Sequence, residues 1–237
     1  MNVALGSYTH ATDCLIRPVS ITMSLHSLVV SVNVGILERV RPDSRQRSGI
    51  RKQPIGGPAL CDTQGLLGDA IGNRTHHGGP DQAVYLYSAE DYAWWSATLQ
   101  RECQPGLFGE NLTIDRWWPS PRIGDRLQCG DVVLELAAPR IPCATLAARM
   151  QDTHFVQQFA QARLPGAYAR VLQSGVLEAG QRVTVTRGDT SWPTVVSLFD
   201  LWFAPSRSRQ ALIDTLRAPL ASRLRDTINR WLAAHSA

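Results

Sequence analysis

Apolar and small polar residues alternate from Leu28 to Val34, and this period of two is typical of a β-strand with one buried face. Shorter runs at Ala83–Tyr87, Ala167–Leu172 and Arg182–Arg187 predict further strands because they combine apolar or β-branched residues with turn residues at their ends. These runs are spread along most of the chain. The pattern therefore predicts a mainly β fold.

A two-residue turn at Gly130-Asp131 separates the alternating runs Arg126–Cys129 and Val132–Leu136, which predicts an antiparallel hairpin. Residues 39–82 are first rich in arginine and then punctuated by glycine and proline, so we expect a long irregular segment there. Short strands, glycine-rich connections and few helices favour a β-barrel or sandwich from about residue 25 to 190.

Two regions show helical patterns. Ser88 and Asp91 form a capping box ahead of an apolar face, and this helix should end by Pro105. After Pro193 the pattern predicts three short antiparallel helices, with Pro219 in the first turn of the last one. The apolar stripe of that last helix is Leu220, Leu224, Ile228 and Trp231. We therefore expect a loose tail at residues 1–22, a barrel domain at 23–190 and a three-helix module at 193–237.

Composition narrows the class of protein. The chain has 237 residues and a net charge of +4, but five arginines and a lysine face one aspartate between Arg39 and Lys52. Positive charge this local indicates one anionic ligand or surface, although a solvated loop would have the same composition. No apolar run approaches the roughly 18 residues of a membrane helix, and no secretory leader is evident, so we expect a cytoplasmic protein with no membrane partner.

The cysteine and lysine content limits the chemistry further. Five widely spaced cysteines without a CxxC pair argue against a zinc ribbon, a locally bound iron–sulfur cluster or a disulfide scaffold. Lys52 is the sole lysine, so covalent pyridoxal phosphate chemistry must use Lys52 or be absent.

Three segments carry the candidate chemistry: Arg74–Ala83, Phe108–Leu112 and Pro139–Cys143. In the third segment two prolines stiffen the chain that presents Cys143, and a helical run, Ala144–Met150, follows. The helix dipole and nearby Arg140 both favour a thiolate, which is a soft metal ligand.

These segments, HHGGPDQAV, LFGENLT and APRIPC, resemble the signature segments of the MOSC domain family, the C-terminal domain of molybdenum cofactor sulfurases, and in particular its YiiM-like bacterial branch. The segments SGIRKQP, GLLGD and LPGAYARV agree as well, in the same order along the chain. The resemblance covers about residues 25–235. It implies a MOSC-type β-barrel followed by a three-helix module.

The resemblance also implies a molybdenum pyranopterin cofactor with Cys143 as the protein ligand to molybdenum. The implied reaction is the reduction of N-hydroxylated compounds, such as hydroxylaminopurine bases, to amines. His77 and Lys52 are the candidate proton donors. The candidate cofactor-binding residues are Arg74, Gly78, Gly79, Asp81, Asn111, Arg140 and Arg170. No dinucleotide-binding GxGxxG or iron–sulfur pattern is present, so a separate electron-donating reductase should supply electrons.

Three other functions remain open on the sequence. The chain could carry cofactor or sulfur to a partner enzyme without catalysis. Residues 193–237 could bind nucleic acid through their arginines, although the Leu220 stripe predicts that this face is buried. Cys143 and His77 could form a thiol hydrolase, which needs the two side chains within hydrogen-bonding reach. Nucleic acid is not expected as the primary partner.

Overall fold

We analysed a computed structural model, which describes residues 26–72 and 78–234. Its thirteen described strands are β1 His26–Gly35, β2 Glu38–Arg39, β3 Arg47–Ser48, β4 Lys52–Pro54, β5 Ala59–Asp62, β6 Gly65–Leu66, β7 Val84–Ser88, β8 Leu112–Ile114, β9 Arg126–Cys129, β10 Val132–Pro139, β11 Ala167–Gln173, β12 Gly175–Leu177 and β13 Arg182–Thr186. The described helices are α1 Ala89–Leu99, α2 Ala144–Met150, α3 Phe155–Ala162, α4 Val195–Phe203, α5 Arg209–Thr215 and α6 Ser222–Ala234, with a 3₁₀ turn at Pro80–Gln82.

Seven strands close into a barrel. They follow the order β13, β9, β10, β11, β7, β8 and β1, and β1 then pairs with β13. β7 and β8 run parallel, whereas the other neighbours in the barrel are antiparallel. The predicted hairpin is confirmed, because Val132 pairs with Cys129 across Gly130-Asp131. Inward positions such as Leu127, Leu134 and Val183 are fully buried, as the alternation of the strands requires.

The prediction of a long irregular segment at residues 39–82 is wrong for its described part. Five short strands, β2 to β6, lie in or at the edge of that segment. Four of them form small sheets outside the barrel: β2 pairs with β3, and β5 and β6 form a sheet with β12. β4 extends the free end of β1, with Lys52 paired to Gly35. These strands have only two to four residues, too few for a period to be visible in the sequence.

The C-terminal helices pack on the barrel rather than apart from it. Leu198 of α4, Leu212 of α5 and Ile228 of α6 belong to the same apolar core as the barrel interior. The predicted burial of the Leu220 stripe is confirmed for Leu220, Leu224 and Ile228, which are buried, while Trp231 is partly buried. Pro219 lies ahead of α6, which begins at Ser222, so its predicted place in the first turn is wrong.

A second core of aromatic residues joins the barrel to α1, α2 and α3. Its centre is Phe108, whose ring lies 5.0 Å from Tyr87 and 5.5 Å from Trp95, measured between ring centroids. The α3 helix, which we did not predict, adds Phe155 and Phe159 to this cluster. Among the described residues no helix is long and apolar enough to cross a membrane.

Candidate functional site

A cavity of about 440 Å³ opens where β3, the start of β4, the segment before α2 and the 3₁₀ turn meet. This volume lies within the usual range of small-molecule sites. Lys52, Arg140, Asn111 and Cys143 all line it, so residues far apart in the sequence are brought together. The rest of the wall comes largely from residues 46–50, 69–72, 82–85, 141–145 and 168.

Lys52 and Asp69 form a buried ion pair at the base of this wall. The Lys52 ammonium donates to both carboxylate oxygens of Asp69, and each side chain is only 7% exposed. Burial lowers the pKa of Lys52, and Asp69 opposes that change by stabilising the ammonium. Asp69 also accepts hydrogen bonds from the Gly35 amide, at 2.8 Å, and from Nδ2 of Asn111, at 2.9 Å.

Arg140 is buried beside the aromatic wall. Its Nη1 donates to the carbonyl oxygen of Phe108, and its guanidinium carbon lies 4.9 Å from the centre of the Tyr85 ring. Burial disfavours the charge, but Tyr168, Tyr85 and Cys143 nearby raise the pKa of Arg140 overall, so the guanidinium stays charged. Its Nε is shielded from solvent and has no hydrogen-bond partner among the described residues. A buried N–H without a partner is costly, and a ligand that reached this N–H from the cavity would lower that cost.

Cys143 differs from the other described cysteines. Cys61, Cys103 and Cys129 are buried, and burial raises the pKa of Cys61 and of Cys129 to about 12. Cys143 is partly exposed, lines the cavity and precedes α2 at the N-cap position in extended conformation. The predicted helix Ala144–Met150 is confirmed with the same bounds. A thiolate facing a ligand is therefore most accessible at Cys143.

Backbone close to the cavity leaves no room for side chains at two glycines. A Cβ at Gly109 (φ +77°) would lie 2.9 Å from Cγ1 of Ile50 and 3.6 Å from Nη1 of Arg140. A Cβ at Gly78 would lie 2.5 Å from Cδ1 of Ile71. Of the two glycines predicted to bind the cofactor, Gly78 lines the cavity and Gly79 does not. The absence of a side chain at Gly109 thus allows the FGEN segment to pack closely against Ile50 and Arg140.

Asn111 lines the cavity, but its side-chain amide forms hydrogen bonds within the protein. Nδ2 donates to Asp69 and to the Asn33 carbonyl, and Oδ1 accepts from the Tyr85 amide at 3.2 Å. We therefore assign Asn111 the role of holding Asp69 in position. Nearby Glu110 is fully buried and accepts hydrogen bonds from Tyr92 and Thr113, so it shapes the site from behind the cavity wall.

Asp81 and Arg170 do not line the cavity, contrary to the prediction that they contact the cofactor. They pair with each other, with 2.9 Å between the guanidinium and the carboxylate. Arg170 also donates to Glu135 and to the carbonyl oxygens of Pro219 and Leu220. These hydrogen bonds join the barrel to the segment ahead of α6. They could not be predicted from local sequence patterns, because the partners lie 35 to 50 residues away.

Arg74 and His77, the other two predicted site residues, lie outside the described residues. Asp69, Tyr85 and Tyr168, for which we predicted no role, are among the residues that line the cavity. Asp69 ends the GLLGD segment and Tyr168 lies in LPGAYARV, so both stood in segments of the family pattern. Only the tertiary contact with Lys52 shows what Asp69 does.

The residues present fit a molybdenum pyranopterin. Within the described residues no group of three or more His, Cys, Asp or Glu side chains could hold a bare metal ion. A single thiol at a cavity suits a metal whose other ligands arrive with a cofactor. Arg47 and Arg140 supply positive charge for a phosphate, whereas the charge of Lys52 is balanced by Asp69.

Known proteins resemble this chain in both sequence and structure. The model of the MOSC domain matches residues 73–184. The uncharacterized protein YflK of Bacillus subtilis is 32% identical over 164 residues, which are 68% of this chain and 74% of that protein. A protein of Gibberella moniliformis named "Reductase" is 30% identical over 163 residues, which are 67% of this chain but only 29% of that protein.

The fold agrees with that of a solved relative. The crystal structure of YiiM from Geobacillus stearothermophilus superposes with a TM-score of 0.73 at 24% identity, over 87% of this chain and 99% of that chain. The barrel with C-terminal helices is thus the YiiM-like form of the fold. On the match of its signature segments, its sequence relatives and its barrel, this chain belongs to the MOSC domain family.

Proposed function

We propose that this protein is a molybdenum-cofactor-dependent reductase that converts N-hydroxylated compounds, such as hydroxylaminopurine bases, to the corresponding amines. The observation that carries the proposal is the cavity itself, where one partly exposed thiol faces a buried lysine and a buried arginine. Membership of the MOSC domain family supports a role linked to the molybdenum cofactor. The relative named "Reductase" supports reduction as the type of reaction.

The binding roles follow from the donor set. Cys143 would hold molybdenum through its sulfur, and Arg140 with Arg47 would hold the cofactor phosphate. When bound, the cofactor supplies the electron transfer that no protein side chain offers. The net reaction, R-NHOH plus two electrons and two protons giving R-NH2 and water, leaves the protein to position the substrate and deliver protons.

Lys52 is the described side chain suited to deliver a proton. It lies at the cavity, and the burial that lowers its pKa brings the ammonium closer to the range in which a general acid acts near neutral pH. Asp69 keeps the ammonium in one position by accepting from it with both carboxylate oxygens. The aromatic wall of Tyr85 and Tyr168 gives a purine ring a surface to lie against.

Metal content and turnover test the proposal together. Wild-type protein and Cys143→Ala, both produced in cells that make the cofactor, should be compared for molybdenum per chain. We expect molybdenum in the wild type and its loss in the variant. Cys103→Ala is the matched control, because Cys103 is buried away from the cavity and should leave the molybdenum content unchanged.

The wild-type protein, reduced by a viologen radical, should convert a hydroxylaminopurine to the aminopurine. Unchanged molybdenum in Cys143→Ala would remove Cys143 from the ligand role. Loaded protein that fails to turn over any N-hydroxylated base would favour the alternative function, a carrier that hands the cofactor to another enzyme.

A further inference from the structure

One charged surface next to the cavity has no role in the proposed reaction apart from the phosphate contact of Arg47. Residues 36–48, here called the rim hairpin, contain β2 and β3, with Arg39 paired to Arg47. The exposed arginines of the hairpin are Arg39, Arg41, Arg45 and Arg47. Its acidic residues are Glu38 and Asp43, and both lie near arginines: Glu38 is 3.6 Å from Arg51, and Asp43 is 3.8 Å from Arg41. The rim hairpin therefore presents a net positive surface to solvent.

The rim hairpin also exposes apolar side chains. Ile36 is 66% exposed and Leu37 is 38% exposed, directly beside the arginines in the sequence. Among the described residues no carboxylate lies within ion-pair distance of Arg39, Arg45 or Arg47. An apolar centre with charged neighbours is the composition of a protein interface.

This surface borders the mouth of the cavity on the side of Cys143. Gln46 and Arg47 line the cavity, and Nε2 of Gln46 donates to Oγ1 of Thr145 at 3.3 Å. Thr145 is two residues after Cys143, and both line the same cavity. A protein that docks on the rim hairpin would thus stand over the opening next to the thiol.

We propose that the rim hairpin is the docking surface for an acidic one-electron carrier protein. This inference rests on the proposed function, because reduction of one R-NHOH takes two electrons. Two reduced carriers would deliver one electron each and leave oxidised, while the two protons come from solvent through the protein. Carboxylates of the carrier pair with the arginines, and its apolar contact surface covers Ile36 and Leu37.

A polyanionic nucleic acid is the other partner that arginines could attract. The apolar residues favour a protein, because a phosphate backbone offers no surface to cover Ile36. Positive charge also continues behind the hairpin at Arg149 of α2, whose pKa is lowered by burial and then by Arg51. The rim hairpin lies beside the cavity opening and so beside the cofactor of the proposed function, which again favours a redox partner.

Turnover with two electron donors tests the surface separately from the reaction. The rim variant combines Arg41→Glu with Arg45→Glu, and neither of these residues lines the cavity. The control variant combines Arg182→Glu with Arg209→Glu, which changes the net charge by the same amount. Arg182 pairs with Leu28, at the end of β1 remote from Gly35 and the hairpin. With reduced flavodoxin, an acidic carrier, kcat/KM should be about tenfold lower in the rim variant than in the wild type, and the control variant should match the wild type. Added salt should lower the kcat/KM of the wild type.

With a viologen radical, all three proteins should turn over within about twofold of each other, because a small donor needs no docking surface. Equal use of flavodoxin by the rim variant and the wild type would overturn the proposal. Absence of turnover with viologen would instead contradict the proposed function, and binding then decides the docking surface. Titration with oxidised flavodoxin should show weaker binding to the rim variant than to the control variant.

Equal affinity of flavodoxin for both variants would overturn the proposal. A single-stranded oligonucleotide that binds the wild type more tightly than flavodoxin does, and loses that binding in the rim variant, would overturn it in favour of nucleic acid.

Discussion

Asp81 caps the last helix of the protein through Ser222. Its carboxylate accepts hydrogen bonds from the backbone amide of Ser222, at 2.7 Å, and from the Ser222 hydroxyl, at 2.6 Å. A carboxylate at a helix N-terminus satisfies an amide that has no partner within the helix and interacts favourably with the helix dipole. Asp81 lies in the 3₁₀ turn whose next residue, Gln82, lines the cavity. The C-terminal module is therefore fastened to the cavity wall.

Because of this cap, the free energy of unfolding should vary with pH in the acid range. Burial opposes ionisation of Asp81, but the hydrogen bonds from Ser222 and the charge of Arg170 together hold the pKa of Asp81 below its ordinary value of 3.8. The stabilisation is therefore present above pH 3.8 and is lost as the pH falls through the lower folded value. Asp81→Asn should lower the free energy of unfolding by about 1 to 2 kcal/mol at pH 7.

Urea unfolding of the wild type and Asp81→Asn at several pH values checks this. The difference between the two proteins should shrink as the pH falls below 4, because the wild-type carboxyl is then protonated too. Asp131→Asn, in the Gly130-Asp131 turn, is the matched control for loss of one charge and should have little effect. A difference that is constant from neutral to acid pH would contradict the capping role.

Loss of the buried counter-charge of Lys52 should be costly. Asp69→Asn leaves the ammonium buried without its carboxylate, so the free energy of unfolding should fall by about 3 kcal/mol at neutral pH. Because Asp69 supports the charged form, its loss lowers the pKa of Lys52 further from 10.5. The variant should regain stability relative to the wild type as the pH rises, because a neutral Lys52 needs no counter-charge.

Denaturant unfolding between neutral and alkaline pH measures that effect. Asp62→Asn, at an exposed position on β5, is the matched control and should stay within about 0.5 kcal/mol of the wild type. If Asp69→Asn lowered the free energy of unfolding by less than about 1 kcal/mol, the Lys52 ammonium would be solvated well enough to need no carboxylate, and the prediction would be wrong.

Cys143 should be the first of the described cysteines to react with an alkylating reagent. Cys61 and Cys129 are buried and their pKa is raised to about 12, so almost no thiolate is present at either near pH 8. We expect Cys143 to be labelled by iodoacetamide at least about tenfold faster than either, as followed by peptide mass spectrometry. Equal labelling of Cys61 in folded protein would contradict the assignment of the accessible thiol.

A methyl group at Gly109 should disturb the site. In Gly109→Ala the new Cβ would press on Ile50 and, more loosely, on Arg140, and alanine also disfavours the positive φ. Together these effects should destabilise the protein by about 2 to 4 kcal/mol and reduce the cofactor retained on purification.

Gly57→Ala separates the two contributions, because Gly57 also has a positive φ (+104°) but nothing lies within 4 Å of its Cβ position. That control should lose only about 1 to 2 kcal/mol and should keep the cofactor. Equal losses of stability and cofactor in both variants would rule out crowding at Arg140 as the cause.

Six of the seven barrel strands were predictable because local patterns set them, whereas β8 was not predicted, because its three residues show no period. The alternation from Leu28 to Val34 and the turn at Gly130-Asp131 give their strands without reference to the rest of the chain. The cap of α1 by Ser88 is equally local, since the Ser88 hydroxyl accepts from the Asp91 amide three residues later. The short strands between Glu38 and Leu66 escaped prediction because their partners, not their own residues, make them strands.

The sequence by itself determined the family, the mainly β architecture and the importance of Cys143 and Lys52, because signature segments and periodicity are properties of neighbouring residues. The tertiary structure decided what each charge does. It buried Asp69 against Lys52, and it turned Arg170 and Asp81 away from the cavity to fasten the C-terminal helix. Such pairings depend on which polar side chains are buried together when the chain folds. The paired residues lie up to 141 residues apart in the sequence, so local patterns do not predict them.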